Sequence, residues 1–82
     1  MKFVLVTGCG EGGIGEALVK EYTHHGLRPI ATILPNESSN HLTSAGIDCF
    51  TLDVTKDQSI LDLKRKIIQL TGGVLHLLVN NA

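Results

Sequence analysis

Phe3-Val4-Leu5-Val6-Thr7-Gly8-Cys9-Gly10-Glu11-Gly12-Gly13-Ile14-Gly15 decides how the rest of the chain reads. Phe3 to Val6 is apolar without interruption, as in a strand buried on both faces of a parallel sheet. Five glycines follow within eight residues, and a helical pattern begins at Ile14. Strand, glycine turn and helix in that order form a cradle for a phosphate group. Glycines let backbone N–H groups approach the anion, and the helix start adds unpaired donors and the positive end of its dipole. Two registers of G-x-G-x-x-G fit, one from Gly8 to Gly13 and one from Gly10 to Gly15. The bare pattern also describes a tight turn without a ligand, so its weight comes from the strand before it and the helix after it. Glu11 is out of place beside a phosphate and is expected to face solvent.

Outward from this stretch, helix and strand alternate. Residues 14–25 carry Ile14, Ala17, Leu18 and Tyr22 at helical spacing, and Gly26 fits a C-terminal cap. Residues 28–34 read as a second strand in which Pro29 must sit near the start or at a position that donates no ladder bond. Residues 35–40 are a polar loop, and a short helix over His41 to Ser44 ends at Gly46. Residues 47–52 form a third strand. Thr55 and Gln58 fit a capping box for a helix from Lys56 to Leu70. Ile60, Leu63, Ile67 and Leu70 make the buried face of that helix, widened by Leu61 and Ile68, and Gly72-Gly73 ends it. The run Lys64-Arg65-Lys66 belongs to its solvated side. Residues 74–79 form a fourth strand before Asn80-Asn81-Ala82.

This alternation predicts an α/β fold, a partial Rossmann (doubly wound) fold with four parallel strands in order 3-2-1-4 and flanking helices. The first two connections cover one face and the third crosses to the other. The fourth strand would be central in a complete sheet but is an edge here, and a single helix covers one face. The chain therefore reads as the N-terminal part, residues 1–82, of a larger Rossmann domain. Alone, it is expected to be marginally stable or to aggregate.

Composition narrows the function. With 82 residues and 43% hydrophobic content there is material for one core, and at 4% aromatic content that core is aliphatic. Seven basic and eight acidic residues leave no basic stripe for nucleic acid. The N-terminus lacks the apolar core of a signal peptide, and no run approaches the ~20 apolar residues of a membrane span. The expected location is the cytoplasm. Cys9 and Cys49 are expected at opposite ends of the sheet, ~13 Å or more apart along the strands, and unbridged. His24 and His25 point apart on a helix, and His41 and His76 have no partner at ligand spacing, so no metal site is expected.

Three motifs then carry a resemblance. Thr7-Gly8 with Gly13-Ile14-Gly15 resembles the T-G-x-x-x-G-[IL]-G fingerprint of the short-chain dehydrogenases/reductases, with one residue more in the loop. Leu52-Asp53-Val54 resembles the family's L-D-V after the third strand, and Val79-Asn80-Asn81-Ala82 its N-N-A-G. The loop, together with Leu70-Thr71-Gly72-Gly73, is similar to the branch of NADPH-dependent 1-acyl-dihydroxyacetone-phosphate reductases.

The resemblance implies roles. Gly8, Gly12, Gly13, Ile14 and Gly15 would line the pyrophosphate and adjacent ribose. Asp53 would hydrogen-bond the adenine amino group, and Val54 would supply backbone contacts. Without a ligand, Asp53 reads as a capping carboxylate beside Thr55. Asn80 and Asn81 would brace the sheet and contact the adenosine ribose, with Ala82 beside it; their ligand-free reading is turn chemistry. Leu34 stands where that branch often has an arginine for the 2′-phosphate, and Asn36 or Glu37 is within reach of the ribose. NADP is thus favoured by resemblance alone and NAD stays open.

The family's catalytic Ser and Tyr-x-x-x-Lys are not in the chain. Its only tyrosine, Tyr22, is followed four residues on by Gly26 and is expected to pack in the core. The implied parent reaction is NADPH-dependent reduction of a ketone, such as 1-acyl-dihydroxyacetone phosphate, to a secondary alcohol. Its partners would be the dinucleotide and a small-molecule or lipid-derived carbonyl substrate, with an oligomer allowed. The branch extends the expected location to lipid droplets or endoplasmic reticulum. The alternatives are a non-catalytic NAD(P)-binding or interaction module and a non-functional truncated remnant.

Overall fold

The computed structural model describes residues 2–81. Its elements in chain order are β1 (Phe3–Val6), α1 (Ile14–His24), β2 (Arg28–Ile33), α2 (Asn40–Thr43), β3 (Asp48–Thr51), α3 (Asp57–Thr71) and β4 (Leu77–Val79). The four strands form one parallel sheet in the order β3-β2-β1-β4, as the alternation of the sequence requires.

Successive strand residues point to opposite faces, and this divides the core in two. Val4 and Val6 of β1 and Ala31 and Ile33 of β2 pack with Val19 of α1 and Leu42 of α2. Leu5 faces the other way, into a groove bordered by Leu63, Lys64 and Ile67 of α3. Pro29 fits the centre of the sheet because Arg28 N donates to Lys2 O on the β1 side, while pairing with β3 begins only at Ile30. The ring therefore replaces a donor that has no strand to meet. The ion pair Arg28 Nε–Asp48 Oδ2, at 2.9 Å, ties the starts of β2 and β3.

Several local expectations are corrected. The buried line of α1 is Gly15 and Val19, with Tyr22 partly buried on the core. Ile14 is 71% exposed and Ala17 is exposed. The cause is the close approach of Gly15 to the end of β1, which fixes the helix rotation and turns Ile14 outward. The Thr55–Gln58 capping box does not form. The Thr55 hydroxyl donates to the Asp53 carboxylate and the Gln58 amide to Asp62, leaving Lys56 as an N-cap without a side-chain bond. The helix begins at Asp57 with Lys56 as its N-cap, so Thr55 stands one residue too early for the box.

β4 is shorter than residues 74–79, because β1 starts at Phe3 and the first bond to it comes from His76 N. Gly72 and Gly73, both at positive φ, close α3 before that point. β2 ends at Ile33 rather than Leu34, and α2 starts one residue early, at Asn40. The two cysteines are free, but not at opposite ends of the sheet. Cys9 N donates to Thr32 O, and Cys49 pairs with the neighbouring Ala31, so Cys9 folds back over β2.

The α3 side is less covered than its pattern implies. Leu63 is buried, whereas Ile60, Leu61 and Ile68 are each nearly half exposed. Leu77 and Leu78 on the β4 edge are exposed as well. No helix among the described residues is long and apolar enough to cross a membrane.

Candidate functional site

Parallel strands all end on the same side of the sheet, and here the four C-terminal ends surround a cleft of about 580 Å³. The glycine loop contributes Gly8, Gly10, Glu11 and Gly13. The end of β2 contributes Thr32 to Leu34 and Glu37, the end of β3 Leu52 to Thr55, and the end of β4 Asn81. Crevices at the carboxyl ends of such strands are where open α/β sheets take ligands.

The loop is held by its neighbours. Gly8 and Gly12 have φ of 71° and 79°, so the path is one that side chains resist. Cys9 N donates to Thr32 O at 2.8 Å, and Gly13 N donates to Gly10 O at 3.1 Å. His41 Nε2 donates to Cys9 O at 2.7 Å and so fastens α2 to the loop. Gly12 N donates to Glu16 Oε1 at 2.7 Å, while Lys20 Nζ pairs with Glu16 Oε2 at 2.6 Å. Lys20 and then Gly12 hold the Glu16 carboxyl below its usual range.

A Cβ on Gly15 would meet Gly8 O at 2.5 Å, so only glycine lets α1 start this close to the strand end. The N-cap of α1, Gly13, carries no side-chain acceptor. The first-turn N–H groups therefore have no side-chain cap, the usual condition for anion binding at a helix start.

β4 is locked to the loop through Thr7. Its backbone N donates to Val79 O, its hydroxyl donates to Asn80 Oδ1 at 3.2 Å, and it accepts from Asn81 N at 3.0 Å. Asn81 Nδ2 donates to Gly8 O at 3.0 Å. Across the cleft, Asp53 forms a local turn in which it accepts from Thr55 N and Oγ1, while its own N donates to Ser59 Oγ at 2.9 Å. These Thr55 donors lower the Asp53 carboxyl from its ordinary value. Asp53 lines the cleft beside Val54 and Thr55.

Among the residues singled out from sequence, the cleft gathers Gly8, Gly13, Leu34, Asp53, Val54 and Asn81. Gly15 is buried behind it, Asn80 is exposed and bonded to Thr7, and Gly12 and Ile14 are exposed at its rim. Ala82 lies outside the described residues.

This geometry is that of a known family. Residues 2–82 match the sequence profile of the short chain dehydrogenases. The chain belongs to the short-chain dehydrogenase family. It is 63% identical over 81 residues to short-chain dehydrogenase virD of Hypocrea virens, covering 99% of this chain and 28% of that protein. It is 43% identical over 81 residues to the NADPH-dependent 1-acyldihydroxyacetone phosphate reductase of Schizosaccharomyces pombe, covering 99% of this chain and 27% of the relative. Salutaridine reductase from Papaver somniferum superimposes with a TM-score of 0.81 at 24% identity, covering all of this chain and 30% of that one. The chain thus spans a little over a quarter of the curated relatives it matches.

Within this short-chain dehydrogenase fold, sequence reasoning missed three working side chains. Thr7 was visible only as part of the Thr7-Gly8 motif, and its hydroxyl proves to be the joint between β1 and β4. His41 carried no signal, because its bond to the loop spans a tertiary contact. Glu37 was read only as within reach of the ribose; it lines the cleft with Oε1 bonded to Leu34 N at 2.8 Å.

Proposed function

We propose that this chain is the part of a nicotinamide-dinucleotide-dependent reductase that holds the cofactor. The observation that carries the reading is the cleft built by the glycine loop, the uncapped start of α1, Asp53 and Asn81. The fit rests on two features: a helix that can start against Gly8 and Asn81 only because residue 15 is glycine, and helix donors without a side-chain cap. Gly8, Gly12, Gly13, Ile14 and Gly15 would hold the pyrophosphate and neighbouring ribose. Asp53 would accept from the adenine amino group, Val54 would supply backbone contacts, and Asn80, Asn81 and Ala82 would border the adenosine ribose. Leu34, half exposed at the end of β2, adds an apolar wall. When bound, the dinucleotide supplies a hydride.

The NADPH dependence in the S. pombe relative's name supports the phosphorylated form and a carbonyl substrate such as an acyl-dihydroxyacetone phosphate. The cleft's own charges weigh against that form. The full reaction, a ketone reduced to a secondary alcohol, needs an acid–base group that this chain does not carry, because Tyr22 packs against the core on α1. A cytoplasmic protein that meets its acyl-bearing substrate at lipid-droplet or endoplasmic reticulum surfaces belongs to the same reading, as does assembly into an oligomer.

Titration of the purified chain with NADH and NADPH, followed by the nicotinamide fluorescence, tests the proposal. Saturable binding of at least one is expected. Binding of neither would overturn it.

A further inference from the structure

His41 reaches from its own helix to hold one peptide of the glycine loop. α2 is a single turn, anchored by Leu42, which is fully buried in the core. That anchor sets the neighbouring imidazole beside the loop, partly buried, with Nε2 2.7 Å from Cys9 O. A carbonyl oxygen only accepts, so Nε2 must carry a proton, in the neutral ring or in the imidazolium.

The other bonds of the loop leave this peptide to His41. Cys9 N donates to Thr32 O, Gly13 N to Gly10 O and Gly12 N to Glu16 Oε1. None of them fixes the peptide between Cys9 and Gly10. Cys9 stands between two glycines, the residues least able to stiffen a backbone, so the orientation of this peptide depends on an outside bond. A planar trans peptide points its C=O and the following N–H in opposite directions. Drawing Cys9 O toward α2 therefore turns Gly10 N–H away from α2. Gly10 lines the cleft, and its N–H has no hydrogen-bond partner among the described residues. Glu37 Oε2 occupies the space a Cβ on Gly10 would need, which hems the peptide in from a second side.

We propose that His41 is a positioning residue for cofactor binding: its bond to Cys9 O holds Gly10 N–H ready to donate to an oxygen of the dinucleotide. The inference rests on the dinucleotide reading of the cleft and adds Gly10 to the groups that hold the ligand. Without the bond, the peptide has to be ordered at the moment of binding, and the entropy lost then weakens the complex. One hydrogen bond of this kind is worth about fivefold in a binding constant.

The test titrates NADH and NADPH into the wild-type chain, His41→Leu and His41→Gln, under conditions where urea melts show each to be folded. Leucine removes the donor at similar bulk, and glutamine returns an N–H at the reach of Nε2. His41→Leu is expected to bind about fivefold more weakly, and His41→Gln to recover most of that loss. A lowered melt of His41→Leu with unchanged affinity would overturn the inference, because a purely structural bond moves the melt alone. A loss that His41→Gln leaves unrepaired would overturn it too. Should the variants fail to fold, the isotope-labelled wild-type chain decides. Its His41 ring nitrogens should show the proton on Nε2, and its Gly10 amide should shift as the dinucleotide saturates. A proton on Nδ1 alone, or a Gly10 amide that stays in place while other cleft amides move, would overturn the inference and leave the dinucleotide reading standing. Binding of neither dinucleotide by the wild-type chain would overturn both.

Discussion

Gly15→Ala puts the close contact between α1 and β1 to a quantitative test. In an ordinary helix interior this substitution stabilises by about 1 kcal/mol, because alanine has the better helix propensity. Here the added Cβ would sit 2.5 Å from Gly8 O and 3.0 Å from Asn81 Nδ2. Carbon contacts settle at about 3.5–4.0 Å, so the helix start must back away by roughly 1 Å. Overpacking of this kind costs about 1–3 kcal/mol. Loss of the Asn81–Gly8 hydrogen bond adds about 1 kcal/mol. The losses outweigh the propensity gain, and the expected net destabilisation is about 1–3 kcal/mol, or a Tm lower by roughly 4–20 °C in a domain this small. Urea and thermal melts by circular dichroism measure it, and dinucleotide titration of the same variant should show weakened binding. A Gly15→Ala chain that melts at or above the wild-type temperature, with binding unchanged, would refute the reasoning.

Three further outcomes follow from the same geometry. Thr7→Val removes the acceptor for Asn81 N and the donor to Asn80, and should destabilise the chain by about 1–3 kcal/mol in urea melts, with dinucleotide affinity falling in parallel. Asp53 is held below its ordinary value of 3.8 by the Thr55 donors, so its folded pKa lies under its unfolded one. Its stabilising contribution is therefore full above the unfolded value and lost as pH falls through the folded one; Asp53→Asn should flatten the acid limb of stability below pH ~4. Cys9 is buried, and burial pushes its thiol up to about 11. A thiol-reactive disulfide reagent at pH 8 should label Cys49 and reach Cys9 only on unfolding, and fast labelling of both would contradict the packing.

Much of this fold was legible because its signals are local. The apolar run at Phe3–Val6, the glycine loop and the helix–strand alternation point to parallel strands, and the order 3-2-1-4 is the one common to dinucleotide-binding sheets. The two-sided burial of β1 follows from its unbroken apolar run. What was not legible depends on contacts distant in sequence. The face of α1 is set by Gly15 meeting Gly8 and Asn81, not by the most apolar stripe, so Ile14 turns outward. The capping box at Thr55 failed because the helix starts one residue later, with Lys56 as its N-cap. At the site, Gly8, Gly13, Asp53 and Asn81 were found through motifs. Thr7 and His41 act through tertiary bonds that no spacing encodes, and the Glu37 carboxylate is fixed by a local turn with Leu34 that the motifs do not mark.

The most direct test of the cofactor-holding account is an amide chemical-shift map of the isotope-labelled chain titrated with NADH and NADPH. The account predicts saturable shifts concentrated at Gly8, Gly10, Gly13, Leu34, Asp53 and Asn81, around the cleft at the strand ends. Shifts confined to the apolar groove of α3 near Leu75, or no shifts with either dinucleotide, would contradict it.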